Sequence, residues 1–235
     1  MAVHHASAEP AHGETVAHIV ARLRDDILGR RVGPGERLVE SELTSRFAVS
    51  RGSIREALRR LAAEGFIEHM PNRGAIVRRL TLQEIGELFQ IRTELEALAA
   101  RLAAGAATEP PARARFEAAI APIFDERARE PCAYLVENAE FHGAVMTLGG
   151  NRQLRDLALR LHLPLIMAQA AEALTPQALA ASVREHRAIA AAILAADPVA
   201  ADAAMRAHLG RAADLACARA PSGENRPAVT CASRP

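Results

Sequence analysis

The 235 residues include no tryptophan and no lysine, and only 3% are aromatic. With so few rings, and with long stretches of alanine and leucine, the bulk of the chain favours helix over sheet. All 29 basic residues are arginine; we read this as base composition and draw no nucleic-acid signal from it. Cysteine is scarce as well. Cys132, Cys217 and Cys231 are odd in number and far apart, which argues against a disulfide framework or a thiolate zinc site and fits a reducing compartment. No apolar run approaches the ~20 residues that cross a bilayer. The opening "MAVHHASAEPAHGE" has no hydrophobic signal core. The expectation is a soluble, cytoplasmic chain with no membrane partner.

Half of the residues are hydrophobic, enough to bury the cores of two domains. The net charge of +1 implies no polyanionic partner, but the charge is unevenly placed. Residues 14 to 80 hold 13 Arg against 9 acids, and the remainder holds 16 against 19. A basic module joined to a mildly acidic one is the simplest reading.

Residues 1–13 and 220–235 are rich in small and polar residues and are expected to be disordered tails. Between them, apolar spacing places one helix from Glu14 to Leu28 and a short one from Glu40 to Phe47. A third is capped by Ser50 or Ser53, with Ser53 and Glu56 spaced as a capping box. Two alternating segments around Pro71-Asn72-Arg73-Gly74 read as a β-hairpin. Three helices and a hairpin in this order form a winged helix-turn-helix domain, residues 14–79.

A second capping box, Thr81 to Glu84, opens a long helix, and the rest reads as helices near 82–104, 110–128, 132–148, 151–172, 176–196 and 198–218. The expected fold class is therefore mainly α: the winged helix-turn-helix followed by an all-α six-helix bundle over residues 80–219.

Arg51, Arg55 and Arg59 share one stripe of the third helix, opposite Ile54, Leu58 and Leu61. An arginine stripe alone is most often a solvated face. Behind a short helix and beside a basic-tipped hairpin it becomes a surface for duplex DNA. The helix N-terminus would meet base edges, and Ser50 and Ser53, with free backbone N–H groups, would meet a phosphate. Arg73 in the Asn72-Arg73-Gly74 turn would reach the minor groove, with Gly74 allowing close approach.

In the second domain, "YLVENAEFHGAV", "SVREHRAIAAAI" and "AAMRAHLGRAA" place Asn138, His142, His186 and His208 on inward-facing stripes of three helices. Buried imidazoles need partners; separate hydrogen bonds would serve, and one divalent metal would satisfy several nitrogens together. Arg92 falls on the core stripe of the first bundle helix. Its partner is either Glu96, one turn on, or the carboxylate of a bound effector.

The segment "ERLVESELTSRFAVSRGSIREALRRLAAEGFIEHMPNRGAIV" resembles the DNA-binding domain of GntR-family bacterial transcription regulators. The His pattern that follows resembles their fatty-acid-regulator (FadR) subfamily, whose C-terminal ligand-sensing (FCD) domain carries Asp-x-x-x-His and two later histidines. Six helices point toward the vanillate-regulator branch. The resemblance implies Arg51 and Arg55 as DNA contacts, Ser50 and Ser53 as backbone anchors, and Asn72, Arg73 and Gly74 as the wing. It also implies a divalent metal, zinc or similar, at Asn138, His142, His186 and His208, with Asn in place of the usual Asp, and a carboxylate effector at Arg92. Where relatives have an arginine, Ser41 offers only a hydroxyl.

The function expected is a homodimeric transcription regulator, a repressor by default, bound to palindromic double-stranded DNA and modulated by a small carboxylate. The rival is a metal-dependent hydrolase in which Glu185, beside His186, serves as general base.

Overall fold

The computed structural model describes residues 12–29, 31–125, 131–160 and 175–218. Two compact units divide the chain, residues 1–79 and 80–235.

The first unit runs α1 (His12–Leu28), β1 (Arg37–Leu38), α2 (Glu40–Phe47), α3 (Arg51–Ala63), β2 (Ile67–Met70) and β3 (Gly74–Val77). Val16, Ile19, Val20, Leu23 and Ile27 recur at three- and four-residue spacing along α1 and are buried where it packs on α3. The answering face of α3 is Ile54, Ala57, Leu58 and Leu61, each no more than 1% exposed. Each large aliphatic side chain buried in this way contributes about 1.5–3 kcal/mol.

The hairpin pairs Ile67 with Val77 and Met70 with Gly74. Strand β1 adds to its far edge, pairing Arg37 with Ile76, so the sheet order is β1-β3-β2. The hairpin alone was expected. Two residues cannot display an alternating pattern, so β1 is visible only through its pairing.

The turn between α2 and α3 depends on Ala48, whose backbone is left-handed (φ +52°) while its N–H bonds the Thr44 carbonyl. The cap of α3 is Ser50, whose Oγ accepts the Ser53 N–H at 3.2 Å. The capping box expected from Ser53 and Glu56 does not form. Ser53 lies within the first turn and is 3% exposed, and Glu56 turns instead to Arg59 and Arg60.

The second unit contains α4 (Leu82–Ala106), α5 (Pro110–Ile120), a 3₁₀ turn (Ala121–Phe124), α6 (Pro131–Leu148), α7 (Arg152–Arg160), α8 (Pro176–Leu194) and α9 (Pro198–Ala218). The capping box at Thr81 forms: its Oγ accepts the Glu84 N–H, and the Glu84 carboxylate accepts the Thr81 N–H at 2.8 Å. Thr175 and Asp197 cap α8 and α9 from before a proline at the first helical position. Helix α5 is shorter than the expected span to residue 128. Pro122 has no N–H for the α-helical ladder, and the chain tightens there into the 3₁₀ turn. The expected helix over 151–172 is described as far as Arg160. Its remainder, residues 126–128 of the earlier helix, and the tails apart from residues 12 and 13 lie outside the described residues. Those two residues belong to α1.

Ala99, Ala100, Ala103 and Ala104 line α4 where it meets the core formed by Phe116, Phe141, Val145, Ile189, Ile193, Met205 and Leu209. Small side chains allow close approach of the neighbouring helices. The extreme case is Gly149, where a Cβ would lie 2.9 Å from the Ala99 carbonyl oxygen. No helix among the described residues is long and apolar enough to cross a membrane.

Candidate nucleic-acid interface and candidate metal centre

In the first unit, the three arginines of the stripe emerge from α3 exposed, but they are held differently. Arg51 is the first helical residue and makes no hydrogen bond or ion pair among the described residues. The Arg55 Nε donates to Glu40 Oε2 on α2 at 2.9 Å, and Arg59 is 3.0 Å from Glu56 on its own helix. Ser50 is exposed at the N-cap. Ser53 departs from the expected anchor: its hydroxyl is buried and 3.0 Å from that of Ser50, and its N–H is donated to the same oxygen.

The wing tip, Pro71 to Gly74, is exposed throughout. The Arg73 N–H bonds the Met70 carbonyl at 3.1 Å, and Asn72 has φ +63°, which fits a type II turn with Pro71 at its second position. Gly74 follows at φ +74°. A guanidinium that sequence reasoning missed stands beside it: a Cβ on Gly74 would lie 4.0 Å from Arg37 Nε. Arg37 reaches the wing only because β1 pairs with β3, and nothing local in the sequence signals that pairing.

In the second unit, His142 on α6, His186 on α8 and His208 on α9 meet. One potential ligand atom from each lies within 4.8 Å of the others, and all three rings are buried. Their centroids are 4.6–5.3 Å apart. His186 is stacked on Phe141 at 4.3 Å and faces Tyr134 at 6.3 Å.

Two carboxylates fix the rings. Glu96 on α4 accepts from His142 Nδ1 while its other oxygen takes Arg92 Nε at 2.5 Å. Glu185 on α8 accepts from His208 Nδ1 at 2.8 Å and from Arg211 through both of its oxygens. Two Arg-Glu-His chains thus converge, each leaving a histidine Nε2 turned toward the others. His186 Nε2 and His208 Nε2 are 3.2 Å apart. His142 Nε2 is buried with no hydrogen-bond partner, the one such side-chain atom among the described residues.

An orphaned imidazole nitrogen costs about 1–3 kcal/mol. Three imidazole nitrogens this close together, two of the rings oriented by carboxylates, form a donor set suited to a divalent cation. Asn138, one turn before His142, is buried, but its Oδ1 accepts the Tyr134 hydroxyl at 3.1 Å, and that hydroxyl also meets Ser182. Its amide oxygen is thus already engaged.

At His186 and His208 the electrostatics agree with neutral rings. Burial pushes His208 down to about 4, against the hydrogen bond to Glu185, and His186 is likewise lowered by burial and by its two ring neighbours. Burial would raise the carboxyl of Glu185, but His208 and Arg211 hold it at about 2. Glu96 is lowered in the same way by Arg92 and His142. Arg92 is 2% exposed and paired with Glu96, one of the two partners the sequence leaves open.

Two family models match the chain: bacterial regulatory proteins of the gntR family over residues 15–77, and the FCD domain over residues 87–211. The chain is similar to the Nta operon transcriptional regulator of Aminobacter aminovorans, 35% identical over 126 residues, covering 52% of this chain and 57% of that protein. It is also similar to the HTH-type transcriptional repressor RspR of Escherichia coli K12, 39% identical over 87 residues, covering 37% of this chain and 38% of that one. These alignments span less than two thirds of the relatives' own length. Among solved structures, a GntR transcriptional regulator from Rhodococcus sp. RHA1 matches with a TM-score of 0.75 at 20% identity, covering 88% of this chain and 100% of that one. E. coli McbR/YncC matches at 0.69, also at 20% identity, with 84% and 94% covered. At that identity the likeness concerns the fold.

Proposed function

The chain belongs to the gntR family of bacterial regulatory proteins and carries an FCD domain, and from that premise we propose that it is a metabolite-responsive DNA-binding transcription regulator. In this reading a homodimer sits on a palindromic operator with α3 in the major groove. Arg51 and Arg55 contact base edges and phosphates, Ser50 anchors the helix N-terminus, and Asn72, Arg73 and Gly74 form the wing, with Arg37 beside them. The observation that carries it is Arg51: a guanidinium with no ion pair among the described residues, at the start of an exposed, basic helix face. That is the position from which an HTH helix reads bases.

The second unit is the sensor. His142, His186 and His208 would hold a divalent metal, zinc or similar, and the orphaned His142 Nε2 supports this assignment. A cation there supplies fixed positive charge for an anionic ligand. Asn138 belongs to the same site in this reading, and Arg92 is its effector arginine, with Nε already donated to Glu96. The effector class is a small carboxylate. It shifts operator affinity only by binding one conformation of the regulator better than the other. The six described helices of the second unit are compatible with the vanillate-regulator branch. A hydrolase is not supported: both oxygens of Glu185 are committed to His208 and Arg211, and the named relatives are regulators.

Gel shifts across a salt series test the proposal. A preferred palindromic duplex, bound with an affinity that falls steeply with salt, is the expected result. Absence of binding, or weak binding indifferent to sequence, overturns it.

A further inference from the structure

Arg51 and Arg55 both project from α3, but only Arg55 is tethered from another helix. Its partner Glu40 is the first residue of α2, 15 positions earlier, with Nε to Oε2 at 2.9 Å. The two side chains are 65% and 41% exposed. An ion pair that open to water adds at most about 1 kcal/mol to stability, so stability gives little account of it. Geometry gives a better one. Glu40 lies in the first turn of a helix whose N-cap, Val39, makes no side-chain cap bond, and a carboxylate is favoured there by the helix dipole. The dipole thus adds to the ion pair in favouring this placement of the carboxylate.

Arginine has five N–H donors; engaging Nε leaves the four on Nη1 and Nη2. That terminal pair forms bidentate contacts with guanine O6 and N7 or with a phosphate. A free arginine must give up rotamer freedom to make such a contact, whereas one held at Nε has already given it up. Arg59 offers no parallel, because its carboxylate partner is on its own helix.

We propose that Glu40 is a positioning residue for operator recognition, holding the Nε of Arg55 so that the terminal nitrogens are pre-aimed at the DNA. This rests on the reading of α3 as the recognition helix. Glu40 also carries a negative charge close to the expected path of the phosphates, so it trades non-specific affinity for discrimination.

The test is a double-mutant cycle on the full chain. It uses the duplex that the wild type selects from a randomised pool and a scrambled duplex of the same length. Glu40→Met keeps length and helix propensity but removes the acceptor; Glu40→Gln keeps an acceptor oxygen. The preference for the selected duplex is expected to fall by up to about fivefold in Glu40→Met, the most that an exposed pair can contribute. Binding to the scrambled duplex should stay equal or become tighter, and Glu40→Gln should lose less. In an Arg55→Ala background, Glu40→Met should leave the preference unchanged. An equal fall in that background overturns the proposal, because Glu40 would then act without Arg55. So does an unchanged preference in Glu40→Met, or equal strengthening on both duplexes, which would mark Glu40 as a bare negative charge. A wild type that selects no duplex at all instead defeats the reading of the protein as a regulator.

Discussion

The arginines of the α3 face and wing in the first unit and those beside the histidines in the second are used in opposite ways. In the first, Arg51, Arg55, Arg59 and Arg73 stand exposed, and two of them have only a solvent-facing carboxylate as partner. In the second, Arg92 is buried and Arg211 is partly buried, each bound to a glutamate that in turn holds a histidine. Exposed guanidiniums keep most of their hydration and are available to a polyanion. A buried guanidinium is stable only where its counter-charge is already in place. In the proposed reading, the same side chain meets a polyanion in one unit and positions a metal-binding ring in the other.

That contrast can be broken most severely at the histidines. Replacing His186 and His208 together by alanine is expected to abolish stoichiometric metal, measured by elemental analysis of the purified protein. Equal metal content would place the cation elsewhere. Next is Glu96→Ala, which removes the buried carboxylate shared by Arg92 and His142 and should cost about 3–5 kcal/mol in denaturant unfolding. A loss below about 1 kcal/mol would mean that Arg92 reaches water and is no different from the arginines of α3.

Acid should act on the second unit in the same direction. Above its ordinary 6.5, His208 is neutral in both folded and unfolded chains. Between 6.5 and about 4 only the unfolded ring takes up a proton, so stability falls as pH drops through that range. The loss, about 3 kcal/mol, should appear in melts of metal-free protein between pH 7.5 and 4.5. Below about 4.5, protonating Glu185 removes more. A flat profile would show that the folded ring protonates as readily as the unfolded one.

The smallest effect sharpens the other side of the comparison. Arg51→Ala should leave the fold intact and cost about 1–3 kcal/mol of discrimination between selected and scrambled duplexes, read by competition gel shift. Unchanged discrimination would reduce the exposed stripe to a solvated surface.

Much of this was legible in the chain. The capping box at Thr81, the Pro-led starts of α8 and α9, and the amphipathic spacing of α1 and α3 are local devices, and each forms where it is written. The three histidines were recognisable as inward-facing because helical periodicity alone sets which residues share a stripe. Where a local rule had a competitor, reading was less secure. Ser50 and Ser53 both satisfy the capping pattern, and the choice fell to Ser50 because Ser53 is drawn into the core side of the helix. Glu185 sits beside His186 in sequence but serves His208 on the next helix, since neighbours on a helix diverge by about 100°.

By itself, then, the sequence determined which faces of which helices would be apolar, where helices would start, and that one third of the chain would carry excess positive charge. These depend on spacing and on residues within a turn or two of one another. Only the tertiary structure decided which carboxylate answers which donor: Glu40 for Arg55, Glu96 for His142 as well as Arg92, Glu185 for both His208 and Arg211. All but the Glu96–Arg92 pair join different helices, and charge pairing across helices follows from packing distance, which helical periodicity does not encode.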